Sequence, residues 1–400
     1  FYDVLFSRIN FGEYDLIGFS CTFSQLLPSL SFAKEIKAKY PNCKIVFGGT
    51  GVYGNTGQSL VGDFSQADCV CRGHGEEYIV RIAKGELSYD SQCGEFDLER
   101  SPLPDYDDYF DHVHEIQSKG LGDIEIYDGS IPYESSRGCF WATKHPCTFC
   151  ALNENQPQYK SKSSEKIAKD IESLSEKYSP GRIVFTDNLL NVRGKKELFG
   201  VLKTKTSDTA FFAEVKPILT KDELIMIKEA GVDEVQAGIE ALSTDLQKLL
   251  SKGTVLEQTL RFLEGCRDVG IDVHYNCLIG IPGETEKHYD AIIDFLPSVM
   301  SLPPPSIPLT PVSLHRNSAY WLAPEKYGIS NVRPAKQYSL IYPKAFASKY
   351  APVYDFDLEL PEHFDANYIN RLVDGVLEWR REYYGVTGSC HVGLTVATNN

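Results

Sequence analysis

Several things are scarce in these 400 residues, and each scarcity narrows the field. No apolar run approaches the roughly 20 residues that a membrane-crossing helix needs, so no helical membrane span is expected. The opening Phe1-Tyr-Asp-Val has neither a basic stretch nor an apolar signal core, which argues against secretion. Basic charge is short as well: 40 Lys and Arg stand against 55 Asp and Glu, a net charge of −15. A dedicated RNA or DNA partner normally leaves a basic footprint, so nucleic acid is not expected as a partner. The one locally basic run, 160–169, is interrupted by Glu165 and reads as the solvated start of a helix. Eleven cysteines are too few and too scattered for a disulfide scaffold. Thiols kept reduced in a cytoplasm fit them better. Repeats and low-complexity tracts are lacking too. The remaining composition, 42% hydrophobic and 12% aromatic, suits two domains or one large barrel with an appendage.

The chain reads as α/β throughout. Residues 14–21 and 43–49 are near-continuous apolar runs of the kind parallel strands show, and 67–71 makes a third. A helix through Leu30, Ala33, Ile36 and Tyr40 separates the first two, and another covers 76–83. This is a doubly wound pattern, which usually has about five strands. Three strands and no initiator Met point to a missing beginning, and so to a truncated module over 1–95. Residues 96–130 are acidic and irregular, with 101–108 as a linker. From 131 onward, strand candidates at 131–136, 182–186, 210–215, 233–239, 271–279 and 307–314 alternate with helical segments. Thr220-Lys-Asp-Glu223 and Thr254-Val-Leu-Glu257 read as capping boxes that open two of those helices. Six β/α units in series imply a partial (β/α)6 barrel over 131–315, with chemistry at the C-terminal ends of its strands. The Pro-rich, aromatic remainder, 316–400, reads as a covering segment over one barrel end.

Cys139, Cys147 and Cys150 lie in one polar loop directly after the first of those strands. Three thiolates on such a loop can hold a 4Fe–4S cluster and leave its fourth iron without a protein ligand. The same residues also suit a structural zinc, for which His145 could be the fourth ligand. Cys21, Cys43, Cys69, Cys71, Cys266 and Cys277 sit in apolar strand or helix contexts and read as core thiols. Cys390, beside His391, is assigned no role. Tyr320, Trp321 and Trp379 read as core or rim aromatics.

Cys147-Thr-Phe-Cys150 resembles the cysteine motif of radical S-adenosylmethionine (SAM) enzymes, although seven residues separate the first two cysteines where three are usual. The resemblance implies SAM contacts on successive strand ends. Phe149 would pack against the adenine. Ile279, Gly280 and Pro282, in Asn276-Cys-Leu-Ile-Gly-Ile-Pro-Gly-Glu284, resemble the adenine-binding segment. Glu240 occupies the ribose position, and Gln236 opens the same segment. Asp187-Asn188 stands where a Gly-Gly-Glu turn would meet the methionine amine, and Glu214 is a further ribose or amine candidate.

The segments 134–139, 147–153, 185–190, 236–243, 279–285, 311–316 and 332–335 resemble one family within that superfamily. It is family 1 of the radical SAM proteins that mature ribosomally made, bacteriocin-type peptides, and the resemblance spans nearly all of 10–380. It implies an N-terminal module of cobalamin-binding type, a ribosomal precursor peptide as substrate, C-methylation, and an electron donor such as a flavodoxin or ferredoxin. Thr22, Phe23 and Ser24 could then lie over the corrin, and Gly48 and Gly49 could admit the nucleotide tail. The Asp-any-His-any-any-Gly signature is absent, so no protein histidine would ligate cobalt. Two other readings stay open: methyl or methylthio transfer to RNA, and a zinc-stabilised, non-catalytic peptide-binding protein.

Overall fold

The structure is a computed structural model, and it describes residues 2–86, 93–120, 129–151, 158–205, 209–358 and 367–385. Cys390 and His391 lie outside the described residues. Contacts divide the chain into two units.

The first unit comprises Phe1–Leu103, Phe149–Lys162 and Ser313–Asp357. Its strands Leu16–Ser20, Lys44–Gly48 and Cys69–Val70 form a parallel sheet in sequence order. The helix Leu26–Lys39 covers the sheet with the expected stripe, Leu30, Ala33 and Ile36, all buried. Pro41 follows its end. A further helix, Gly54–Asp63, precedes the third strand and was not expected. Its three glycines, an asparagine and a threonine are poor helix formers, so packing rather than propensity holds it.

Residues expected to cover a barrel belong to this unit instead. Tyr342, Ala347 and Tyr350 join the core formed by Leu30, Ile36, Ile45 and Phe47. Asp63 accepts hydrogen bonds from Lys349 Nζ and Tyr350 OH at 2.8 and 2.7 Å. The strand Leu314–His315 pairs antiparallel with Val353–Leu358, which draws the stretch after 312 away from the barrel pattern.

The second unit comprises Pro104–Thr148, Ser163–Val312 and Leu358–Asn400. Ser130–Tyr133, Arg182–Phe185, Ala210–Val215, Val232–Ala237 and Asp272–His274 run parallel, in that order, in one sheet. The expected strand 271–279 is broken at Tyr275, whose buried hydroxyl donates to Pro303 O at 2.9 Å. Beyond the break, Asn276–Ile279 pairs parallel with Ile307–Pro311, and a parallel bridge from Glu240 to Cys277 joins it to the preceding strand end. Six strand positions with intervening helices make the expected partial barrel.

Two local expectations change. Helix Lys221–Glu229 does open on the Thr220/Glu223 box, but the next long helix is Leu256–Val269, capped at Val255 by Gln258. Thr254 donates instead to the buried Gln247 Oε1 at 3.1 Å. The stretch 96–130 is also not wholly irregular, because Asp107–Ser118 is helical. Phe110 stacks on Tyr178 at 4.9 Å between centroids, and Tyr178 OH donates to Asp107 at 2.8 Å. The helix Asn367–Tyr384 closes the unit: fully buried Trp379 donates to Leu302 O at 2.8 Å, burial worth about 3 kcal/mol. No described helix is long and apolar enough to cross a membrane.

Candidate functional site

The loop that carries the cysteines is fixed from below. Asp187, just past the second barrel strand, is 1% exposed and aims its carboxylate at the turn before Cys139. Oδ1 accepts Ser135 N and Ser136 N at 2.8 and 2.9 Å, while Oδ2 accepts both serine hydroxyls. A carboxylate has about four lone-pair sites, and all are used. Burial pushes the Asp187 carboxyl up, and the four donors pull it back. Asp187, marked in the sequence for a methionine amine, thus has its acceptor sites taken by the turn before Cys139 and acts as a clamp on it. Asn188 beside it is half-buried. Arg137 adds a second brace, bidentate to Glu134 with both contacts at 2.7 Å.

The seven-residue gap folds back as a turn. Thr143 N and His145 N donate to the carbonyls of Cys139 and Trp141. Trp141 turns inward, and Gly253 receives it: at φ +60, a Cβ on that glycine would lie 2.0 Å from the indole ring. Lys216, immediately after the third strand, places Nζ 2.8 Å from the Trp141 ring centroid. Cys147 is held through Thr148, whose N–H donates to Leu250 O at 3.1 Å. Cys150 and Phe149 follow half-buried in the stretch assigned to the first unit.

The electrostatics around Cys147 suit an anionic group. Burial pushes its thiol up, Cys139 adds to that, and Lys252 and Lys216 oppose it. Lys252 Nζ donates to Glu240 at 3.3 Å, with both side chains largely buried. Lys216 is 7% exposed, and its Nζ has no hydrogen-bond acceptor among the described residues. Burial and the neighbouring Lys252 push it down to about 8. A buried ammonium without an acceptor is costly, which fits a site built to receive thiolate- or carboxylate-bearing groups. Among the described residues no three His, Cys, Asp or Glu side chains are arranged to hold a single metal ion. His145 is exposed and lies against Trp141.

The remaining strand ends bring further polar residues side by side. Glu214 and Gln236 are register partners, and Gln236 is also paired with His274, so three polar residues stand abreast on neighbouring strands. Burial and the carboxylates of Glu240 and Asp187 push Glu214 up. Glu240 sits at φ +62, a left-handed conformation that costs a glutamate about 1 kcal/mol, while its carbonyl accepts Leu278 N at 2.8 Å. Gly280 has φ +73 with open space where a Cβ would be. Buried Glu284 holds that turn by accepting Gly280 N and Ile281 N at 3.0 and 2.7 Å. The Ile279 carbonyl is taken by Val312 N at 2.8 Å, and Pro282 is buried.

The first unit has a cavity of about 350 Å³, lined in part by Ser24, Thr50, Gly51, Arg316, Tyr338 and Tyr342. Of the five residues marked for cobalamin, Ser24 lines it. Thr22 instead accepts from Thr50 Oγ1 at 3.5 Å, and its N–H donates to Gln25. Gly49 is required by packing: at φ +90, a Cβ would lie 2.5 Å from Cys21 O. A Cβ on Gly48 would meet only the Cys71 side chain at 3.7 Å. The side chain of Phe23 lies outside the described residues.

The site is thus a parallel partial barrel with a clamped turn before Cys139, in a loop after its first strand. Residues 133–296 match the family model described as the Radical SAM superfamily. Proteins of that superfamily use a 4Fe–4S cluster and SAM, which Cys139, Cys147 and Lys216, whose Nζ has no hydrogen-bond acceptor among the described residues, fit. The chain is 24% identical over 312 residues to an uncharacterized methyltransferase, PH0819, of Pyrococcus horikoshii, covering 70% of this chain and 63% of that one. It is 22% identical over 233 residues to the ribosomal protein uS12 methylthiotransferase RimO of Flavobacterium psychrophilum, covering half of each. The chain thus spans between half and two thirds of these relatives.

Among solved structures, the cobalamin-dependent SAM radical enzyme OxsB, with aqua-cobalamin and SAM bound, superposes with a TM-score of 0.69 at 16% identity. That alignment covers 96% of this chain and 61% of OxsB. The radical SAM methyltransferase TsrM of Kitasatospora setae, with cobalamin and a [4Fe-4S] cluster bound, gives 0.64 at 15% identity, covering 94% and 82%. These likenesses establish the fold.

Proposed function

We propose that this radical SAM protein is a methyltransferase-type enzyme that modifies a ribosomally made precursor peptide with the help of a corrinoid. The observation that carries the enzymatic reading is the Asp187 clamp, which presents the Cys139 loop at the strand ends of a radical SAM fold. Cys139, Cys147 and Cys150 would hold the cluster, which when bound supplies an electron to the sulfonium of SAM. Lys216 would meet an anionic group of that assembly, and the Trp141 stack would exclude water beside it. Glu214, Gln236 and Glu240 would orient the ribose or amine, and the Gly280 turn leaves room for the adenine. A flavodoxin- or ferredoxin-like protein would deliver the electron.

Support for a corrinoid is twofold. Both structural neighbours carry cobalamin, and the cavity in the first unit opens beside Ser24 and Gly51, at the ends of its strands. At about 350 Å³ it is sized for a nucleotide tail rather than a whole corrin. The peptide substrate rests on the family resemblance and on the acidic charge, which disfavours nucleic acid.

A second reading is methyl or methylthio transfer to RNA; the likeness to RimO, a methylthiotransferase of a ribosomal protein, bears on the methylthio part of it. The test uses reconstituted protein, aquacobalamin, methyl-labelled SAM and reductant, offered in parallel bulk RNA and any short precursor peptide found encoded beside the gene. Corrinoid-dependent label in the peptide supports the proposal. Label in RNA, or a mass gain of methylthio rather than methyl, overturns it.

A further inference from the structure

The first unit contains a pair of thiols that the proposed reaction does not use. Cys71 follows the third strand and is 6% exposed; Cys93, half-buried, comes 22 residues later. Their sulfurs are 2.7 Å apart, closer than two unbonded sulfurs normally rest. The approach is built into the backbone. A Cβ on Gly73 would lie 2.9 Å from Cys93 Cβ, so only glycine there lets the Cys93 strand of chain come so near. The N–H of Phe96, three residues on, donates to His74 Nδ1 at 3.2 Å, and buried Phe96 anchors the segment. Lys160 ties Glu95 at 2.7 Å. The segment after Cys93 is thus held at both its side chains and its backbone, with the sulfur pair at its start.

We propose that Cys71 and Cys93 are a redox-active dithiol, with Cys93 as the attacking thiolate and Cys71 as the resolving thiol, closed by a disulfide-class oxidant such as glutathione disulfide. Cys93 attacks one sulfur of the oxidant, and a thiolate leaves and takes up a proton. Cys71 then loses its proton to solvent and displaces the second thiol from the mixed disulfide. The dithiol gives up two electrons and two protons, and the oxidant becomes two thiols. The unequal roles follow from the surroundings. A hydrogen bond from Cys71, with Arg72 nearby, holds the Cys93 thiol below its usual value, while that contact and burial push Cys71 well up. The neighbouring Cys69 is fully buried and pushed up to about 12, so it does not compete. Closure would tie the end of the third strand to the segment 93–96 and lock the turn Arg72-Gly-His74 between them. This site is independent of the proposed peptide chemistry.

The test equilibrates the full-length, cluster-loaded protein with glutathione and glutathione disulfide at graded ratios without oxygen, then alkylates and maps peptides by mass. The expected result is a Cys71–Cys93 cross-link that forms before any other thiol reacts, with buried Cys43 and Cys266 as internal controls. Cys71→Ser should trap glutathione on Cys93, and Cys93→Ser should leave Cys71 unmodified. In Cys71→Ala, alkylation of Cys93 near neutral pH should slow roughly tenfold. Independent alkylation of both thiols at every ratio would overturn the proposal. So would a Cys93 that reacts no faster than Cys43.

Discussion

The two units reach a ready-made site by different physical means. In the barrel unit, buried carboxylates do the positioning. Asp187 saturates itself on Ser135 and Ser136, and Glu284 accepts two backbone amides of the Gly280 turn. In the first unit, steric fit does it: Gly49 lies against the Cys21 backbone, and the cavity wall is closed by packed tyrosines. The difference teaches that a polar clamp fixes a loop by hydrogen bonds that cannot be replaced by water once buried. A glycine approach fixes a loop by excluding every other residue. Substitutions should therefore fail differently in the two units.

The largest effect is expected at the clamp. Asp187→Ala leaves four donors facing a buried void and should cost about 4 kcal/mol, with iron content per chain falling to near background. Denaturant unfolding and iron and sulfide assays read this, and retention of full iron would break the contrast. Gly49→Ala should cost about 3 kcal/mol, since it combines a strained φ with a collision against Cys21 O. It should lower corrinoid binding, followed by visible absorbance, while leaving cluster content intact. Loss of iron in that variant would show that the two sites are not separable in this way.

Gly253→Ala tests steric control inside the barrel unit. Its Cβ would force Trp141 out, at a cost of about 2 kcal/mol, and the change should be visible in near-ultraviolet circular dichroism. The smallest stability change is expected for Lys216→Met, which removes a buried ammonium that has no hydrogen-bond acceptor among the described residues. Its effect should fall on ligand binding instead: SAM affinity weakened about tenfold by equilibrium dialysis, with the cluster retained. Unchanged affinity would leave Lys216 a packing residue only.

Much of this was legible in the sequence, for reasons that can be named. A strand buried on both faces announces itself as an apolar run, so 44–48 was visible within a residue or two, and 210–215 was visible although its burial alternates along the strand. The cysteine loop was visible because three thiols in a short stretch are rare. Less legible was what each acidic strand end does. Asp187 looked like a ligand because sequence shows its position after a strand but not which way its oxygens face. Lys216 and Trp141 were not singled out, although Lys216 directly follows the strand 210–215 much as Asp187 comes two residues after 182–185. The helix Asp107–Ser118 was hidden by acidic, proline-flanked composition, since its stability comes from Phe110 and Tyr106 against Tyr178. The placement of 342–350 with the first unit depends on contacts some 300 residues apart in sequence, such as Lys349 with Asp63, which no local pattern encodes.

The most direct test is to reconstitute the protein with iron and sulfide without oxygen and record the EPR spectrum of the reduced cluster before and after adding SAM. A 4Fe–4S signal that shifts with SAM, and is lost in Cys139→Ala, is the result expected for a cluster with one open iron. A protein that binds a single zinc through the same cysteines, or a cluster signal indifferent to SAM, would contradict the account.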